Sequence, residues 1–150
     1  MDIIVVQGKA IVGPILGLIG GLILTVGGFM LFNSIAQIEA LLALMAWTWA
    51  DIGFDPMLFY LQMILTIVWG LLGLTGAILA FQGKKIGVYL MLIFGIVATV
   101  GMFIPIGVMV IIIPIPVTLN ASLFFFDPIL VLLGGILGLV LKEEVDNRVY

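Results

Sequence analysis

The stretch AIVGPILGLIGGLILTVGGFMLF, Ala10–Phe32, decides how the rest of the chain is read. It carries no charged residue and matches the ~20 apolar residues a helix needs to cross a bilayer's hydrocarbon. The apolar core of a secretory signal usually spans only ~7–15 residues. Ser34-Ile35-Ala36 has the small residues of a cleavage site, yet only Lys9 lies close before the apolar run. The stretch is therefore read as a retained membrane helix.

Working outward, three more apolar segments follow: Met57–Phe81, Ile86–Ile104, and one from Pro128 to Leu141, before Lys142-Glu143-Glu144. The last covers only about 21 Å as a helix, at ~1.5 Å per residue, unless Leu123–Phe126 extend it outward. The whole chain is 65% apolar and 9% charged. A soluble domain is typically about half apolar and a quarter charged. The expected fold class is an all-α membrane protein, a single domain over residues 1–150 with four transmembrane helices in a bundle.

The basic residues orient it. With four spans, Lys9, Lys84, Lys85, Lys142 and Arg148 fall on one side, while Glu39, Asp51, Asp55 and Asp127 fall on the other. The positive-inside rule then puts both termini in the cytoplasm of a multi-pass protein of the cell membrane.

The two outer segments differ. In Ser34–Gly53, Ser34 and Gln37 have capping-box spacing. The mostly apolar run after them ends in Trp47 and Trp49, residues favoured at the headgroup layer. This predicts an interfacial or partner-covered helix with the two tryptophans as anchors. The second outer segment, Pro105–Ser122, has three prolines and many Val, Ile and Thr residues, which favour extended backbone. Such backbone must lie outside lipid or be buried against protein.

Three phrases recur in order: Gln7-Gly-Lys at Gln82, Thr25-Val-Gly at Thr99, and Phe54-Asp-Pro at Phe126, with separations of 75, 74 and 72. This spacing predicts a parallel tandem repeat, residues 1–75 and 76–150, each half a two-helix hairpin. Asp before Pro at the start of a span is a helix-initiation signal, because the carboxylate accepts from free N–H groups and Pro at the first position loses nothing. Asp55 and Asp127 are read as caps. The functional alternative falls on Asp127, drawn inward by its short helix. A purely capping Asp127 should tolerate Asn.

Small residues form stripes: Gly13, Gly17 and Gly21, then Gly70 and Gly73, and lastly Gly134 and Gly138. They are read as helix-packing surfaces, part of which could receive a partner's helix. Gln62, inside the second span, needs a polar partner and is expected to face another helix. Asn120-Ala-Ser matches a glycosylation acceptor.

The absence of Cys and His excludes disulfides, Cys/His metal sites and the usual nucleophile–base pairs from this chain. No span has a charge at its centre, which pumps and ion-coupled transporters generally use. The net charge of −3 gives no basic patch for nucleic acid. The reading is non-enzymatic, without metal or cofactor. Its expected partners are membrane lipids and other membrane subunits or further copies of itself.

Four spans with an elaborated first outer segment resemble the tetraspan plan of claudins, tetraspanins and MARVEL proteins. The resemblance is topological: Trp47-Thr-Trp49 is not the claudin Trp-Gly-Leu-Trp pattern, and the outer cysteines are missing. The Gly/Leu-rich composition is closer to uncharacterised small four-helix membrane proteins of bacteria and archaea. Such likenesses imply a fold and no site residues. The expected function is that of an accessory or scaffold subunit acting through helix association. The alternative is a small transporter or channel with a pathway between the halves, near Asp127 and Gln62.

Overall fold

In lipid the backbone has no water to bond, so an apolar chain satisfies itself as helix even where it is rich in glycine. The computed structural model describes residues 2–110 and 113–146, and their side chains for residues 11–110 and 113–141. The elements are α1 (Asp2–Leu44), α2 (Pro56–Phe81), α3 (Lys85–Gly101), β1 (Pro105–Val110), β2 (Pro114–Thr118) and α4 (Asp127–Asp146). Helix α1 packs on α2 and α4, and α3 packs on the same two, which closes a bundle with α1 and α3 on opposite corners. Two helices, α1 and α2, are long and apolar enough to cross a membrane; α3 and the described apolar part of α4 are shorter.

The packing is inside-out relative to a soluble protein. On α1, Gly13, Gly17, Gly20, Gly21, Gly27 and Gly28 are buried while Ile15, Ile19, Leu22, Val26 and Phe29 are exposed. Backbones meet at the glycines. A Cβ on Gly13 would strike the Gly134 carbonyl at 2.8 Å, and one on Gly21 would strike the Leu74 amide at 2.8 Å. Between these seams the larger side chains Leu24, Ala77, Val88, Met91, Ala98 and Val131 fill the centre.

Helix α1 does not end near Phe32. It continues as one helix to Leu44, so the separate interfacial helix expected from Ser34 is not formed. Nothing between Phe29 and Leu44 breaks a helix, and Ser34 Oγ donates back to the Met30 carbonyl at 3.2 Å rather than opening a new turn. The helix stops just past Leu44. Ala46 takes a left-handed φ of 54°, the Trp47 amide reaches the Leu42 carbonyl at 2.9 Å, and the Ala46 amide reaches that of Ala43 at 3.2 Å. This is a Schellman turn made without glycine. The turn after α2 uses the same bonds, Lys84 amide to Leu79 carbonyl and Gly83 amide to Ala80 carbonyl, with Gly83 at φ 75°.

The segment between α3 and α4 is extended in its first part. Strands β1 and β2 pair antiparallel, Met109 opposite Ile115 and Val108 opposite Pro116, with an irregularity between Pro105 and Gly107. The Val110 amide bonds the Ile52 carbonyl at 2.9 Å, which ties the hairpin to the loop after α1. Ile35, Leu42, Ile52, Phe54, Phe59, Met109 and Val117 make a second core there. The C-terminal end of α1, the loop 45–55, the start of α2 and the hairpin thus form a small head on the bundle.

The repeated phrases occupy unlike places. Gln7-Gly-Lys lies within α1, whereas Gln82-Gly-Lys is the turn between α2 and α3. Thr25-Val-Gly is mid-helix and Thr99-Val-Gly is a helix end. One excursion is a prolonged helix and the other a β-hairpin. The structure lends no support to the tandem repeat, whose case rests on motif spacing alone.

Candidate functional site

Helix α2 begins as its sequence dictates. Asp55 has extended backbone (φ −89°, ψ 117°), and its Oδ1 accepts from the Met57 amide at 2.9 Å with Pro56 in the first turn. Asp55 is exposed. It is a helix cap.

Asp127 is different. It is fully buried, and the donors bonded to it come from residues before it. Ser122 Oγ donates to Oδ1 at 2.6 Å, the Phe124 amide to Oδ1 at 3.1 Å and the Leu123 amide to Oδ2 at 3.1 Å. The carboxylate ties down a loop whose Phe125 sits at a left-handed φ of 68°. Three donors, one of them a hydroxyl and two backbone amides, offset the cost of removing a carboxylate from water.

Depth separates the two aspartates further. Gly20 of α1 abuts the Asp127 carbonyl, and Gly28, two turns outward, abuts Met63 and Ile67 of α2. Asp55 lies a further 8–12 residues out along α2. At ~1.5 Å per residue the two aspartates are about 25 Å apart along the bundle.

Next to Asp127 the chain buries more polar groups. Thr66 Oγ1 donates to the Gln62 carbonyl at 2.6 Å and accepts from the Ala121 amide at 2.9 Å. Gln62 Nε2 reaches Thr118 Oγ1 at 3.4 Å, so its partner is on β2 and not on another helix as expected. Thr118 Oγ1 in turn donates to the Asn120 carbonyl at 3.0 Å. Asn120 is fully buried. Its Nδ2, the atom a glycan would occupy, donates to the Ala98 carbonyl at 2.9 Å. The folded chain has no room for glycosylation there. Among the described residues Asn120 Oδ1 has no hydrogen-bond partner, and it lies against Gly101, where any Cβ would collide with it.

Ala121, Ser122, Leu123 and Phe124, in the segment that enters the bundle without regular structure between β2 and α4, are bonded in this way. Among the described residues no cluster of metal-ligating side chains exists. Thr66, Thr118 and Gly101 were not singled out by sequence reading, and Ser122 only as part of the Asn120-Ala-Ser pattern. The one available signal was Thr66, a turn after Gln62 on the same face of α2.

The remaining expected site residues are placed as follows. Gly13, Gly17, Gly21, Gly70, Gly73, Gly134 and Gly138 all meet other helices of this same chain. The stripes are used internally, and these glycines do not form a face left over for a partner. Trp49 is a packing residue of the head, edge-on to Phe59 at a centroid distance of 5.9 Å. Trp47 is 42% exposed and follows an α1 that runs about 18 Å beyond Phe32.

In the outer turn, Asp51 Oδ2 accepts from the Thr48 amide at 2.6 Å and from Thr48 Oγ1 at 2.7 Å. These bonds, the backbone one foremost, hold its carboxyl below the ordinary aspartate range. Comparison of the chain with protein-family models, curated proteins and solved structures gives no match.

Proposed function

We propose that the chain is a four-span integral membrane protein, both termini cytoplasmic, that serves without catalysis as an accessory or scaffold subunit. What supports the membrane reading is the inversion of packing: glycines inside, and Ile, Leu, Val and Phe outside around the bundle. Orientation rests on register. The contact of Gly13 with Gly138, and that of Gly87 with Ala80, bring the backbone of Lys9, Lys84, Lys85 and Lys142 to one end. Glu39, Asp51 and Asp55 lie at the other end, in the head.

The observation that carries the association role is the head's apolar surface. Leu44 is 85% exposed and Ile113 69%, alongside Leu41, Met45, Trp47 and Ile115. Asn33, Ser34, Gln37 and Glu39 are exposed below Leu41 on α1, so this surface stands beyond the uncharged stretch. Lipid does not cover residues there, and a partner subunit does. Mild-detergent extraction of the full chain should co-purify a membrane partner or a second copy, and Leu44→Glu with Trp47→Ser should release it while the bundle remains folded. A lone monomer in native-like lipid overturns the reading.

One observation favours the alternative, a small transporter or channel: the buried Asp127 and the unpaired Asn120 Oδ1 lie in one cluster. Against it, backbone-to-backbone glycine seams leave little lumen between helices. Absence of ion or solute flux in liposomes removes it.

A further inference from the structure

The segment between β2 and α4 raises a separate question, because it exposes three consecutive aromatics well below the head. Phe124, Phe125 and Phe126 are 56%, 62% and 48% exposed. Their depth follows from α1: Leu123 lies against Gly27 and Asp127 against Gly20. Both glycines belong to the uncharged stretch, and Gly27 lies six residues, about 9 Å, below Asn33, the first polar residue above it.

We infer that Leu123–Asp127 is a re-entrant segment inside the outer leaflet, with Phe124, Phe125 and Phe126 packed against lipid acyl chains and Asp127 holding its backbone. This rests on the membrane-spanning reading above. The occupant is argued from three features. Non-helical backbone at such depth persists only where its polar groups are met by protein. Here the Leu123 and Phe124 amides are met by Asp127 and the Ala121 amide by Thr66. The aromatics also continue a ring of exposed apolar side chains at the same level, Val26 and Phe29 on α1 and Val100 on α3. Phe125 joins that ring through an edge contact with Phe103 at 5.9 Å, and Phe124 stacks on Phe126 at 5.6 Å.

The chain has no cysteine, so single-cysteine spin labelling of the full-length protein is direct. Phe125→Cys, Leu22→Cys (mid-α1) and Ala50→Cys (head) are labelled and reconstituted in phosphatidylcholine bilayers. Collision with oxygen and with a water-soluble nickel chelate is then measured. The expected result is high oxygen and low nickel access at 125 and 22, with the reverse at 50. Nickel access at 125 matching that at 50, with 22 dry, overturns the re-entrant segment. Low access to both reagents at 125 means protein covers it and overturns the lipid contact. Nickel access at 22 overturns the spanning reading itself. Adding Asp127→Ala to Phe125→Cys should raise nickel access several-fold. If that variant does not fold, Asp127→Asn, which keeps one acceptor oxygen, should raise it to a smaller extent. No change in the folded variant overturns the holding role of Asp127.

Discussion

Phe54-Asp55-Pro56 and Phe126-Asp127-Pro128 are the same tripeptide at the start of two helices, and they do different work. Asp55 is exposed and caps its own helix with one bond to the Met57 amide. Asp127 is buried and bonds backward to three donors of the loop that precedes it. A carboxylate within reach of both sides of a helix start takes whichever donors the surroundings leave without water. At the head, Asp55 takes an amide of its own helix. About 25 Å along the bundle, at ~1.5 Å per residue, Asp127 takes the amides of the loop.

The widest separation between the two comes from truncation. Asp127→Ala leaves two backbone amides and a hydroxyl unpaired in the interior, at a cost on the order of 4 kcal/mol. Asp55→Ala costs about 1 kcal/mol, the usual loss for an exposed N-cap. Reversible unfolding in detergent micelles, read by circular dichroism, measures both. Equal losses would erase the distinction.

Asparagine sharpens the contrast at a smaller scale. Asn serves as an N-cap about as well as Asp, so Asp55→Asn should change stability by only a few tenths of a kcal/mol. Asp127→Asn turns an amide NH2 toward an N–H donor, Leu123 or Phe124, and should cost about 1–3 kcal/mol. Tolerance at both positions returns Asp127 to a simple cap.

The smallest effect concerns a third aspartate, Asp51, fully exposed in the head. Its folded pKa is depressed, mainly by the Thr48 amide. Its contribution is therefore present above the ordinary aspartate pKa and is lost as pH falls through the lower, folded value. Solvent screening keeps it small. Asp51→Asn should lower stability slightly at neutral pH, match the parent protein at the acid end, and so flatten the acid limb. An unchanged acid limb argues that the Thr48 bonds do not persist in solution.

How much of this was legible beforehand varies by element. The four apolar segments matched helices although the first carries Pro14 and several glycines, because long uncharged runs satisfy their backbone most readily as helix. The Pro and Val/Ile content of 105–118 marked an extended segment, now β1 and β2. The boundary at Ser34 was misplaced, since a capping-box spacing competes poorly with an unbroken helix already running through it. The polar cluster was mostly invisible. Gln62, Thr66, Asn120 and Asp127 are spread over 66 positions and meet only when the segment after β2 folds into the bundle.

From the sequence alone came the helical, membrane-like character of the chain, its charge asymmetry and the capping chemistry of Asp55, because each depends on neighbours within a turn or on composition. Tertiary structure decided which glycines meet which helix, that the stripes close within the chain, and that Asp127 faces a loop instead of its own helix. Those outcomes depend on the relative depth of segments far apart in sequence, and depth is set by how closely the backbones pack.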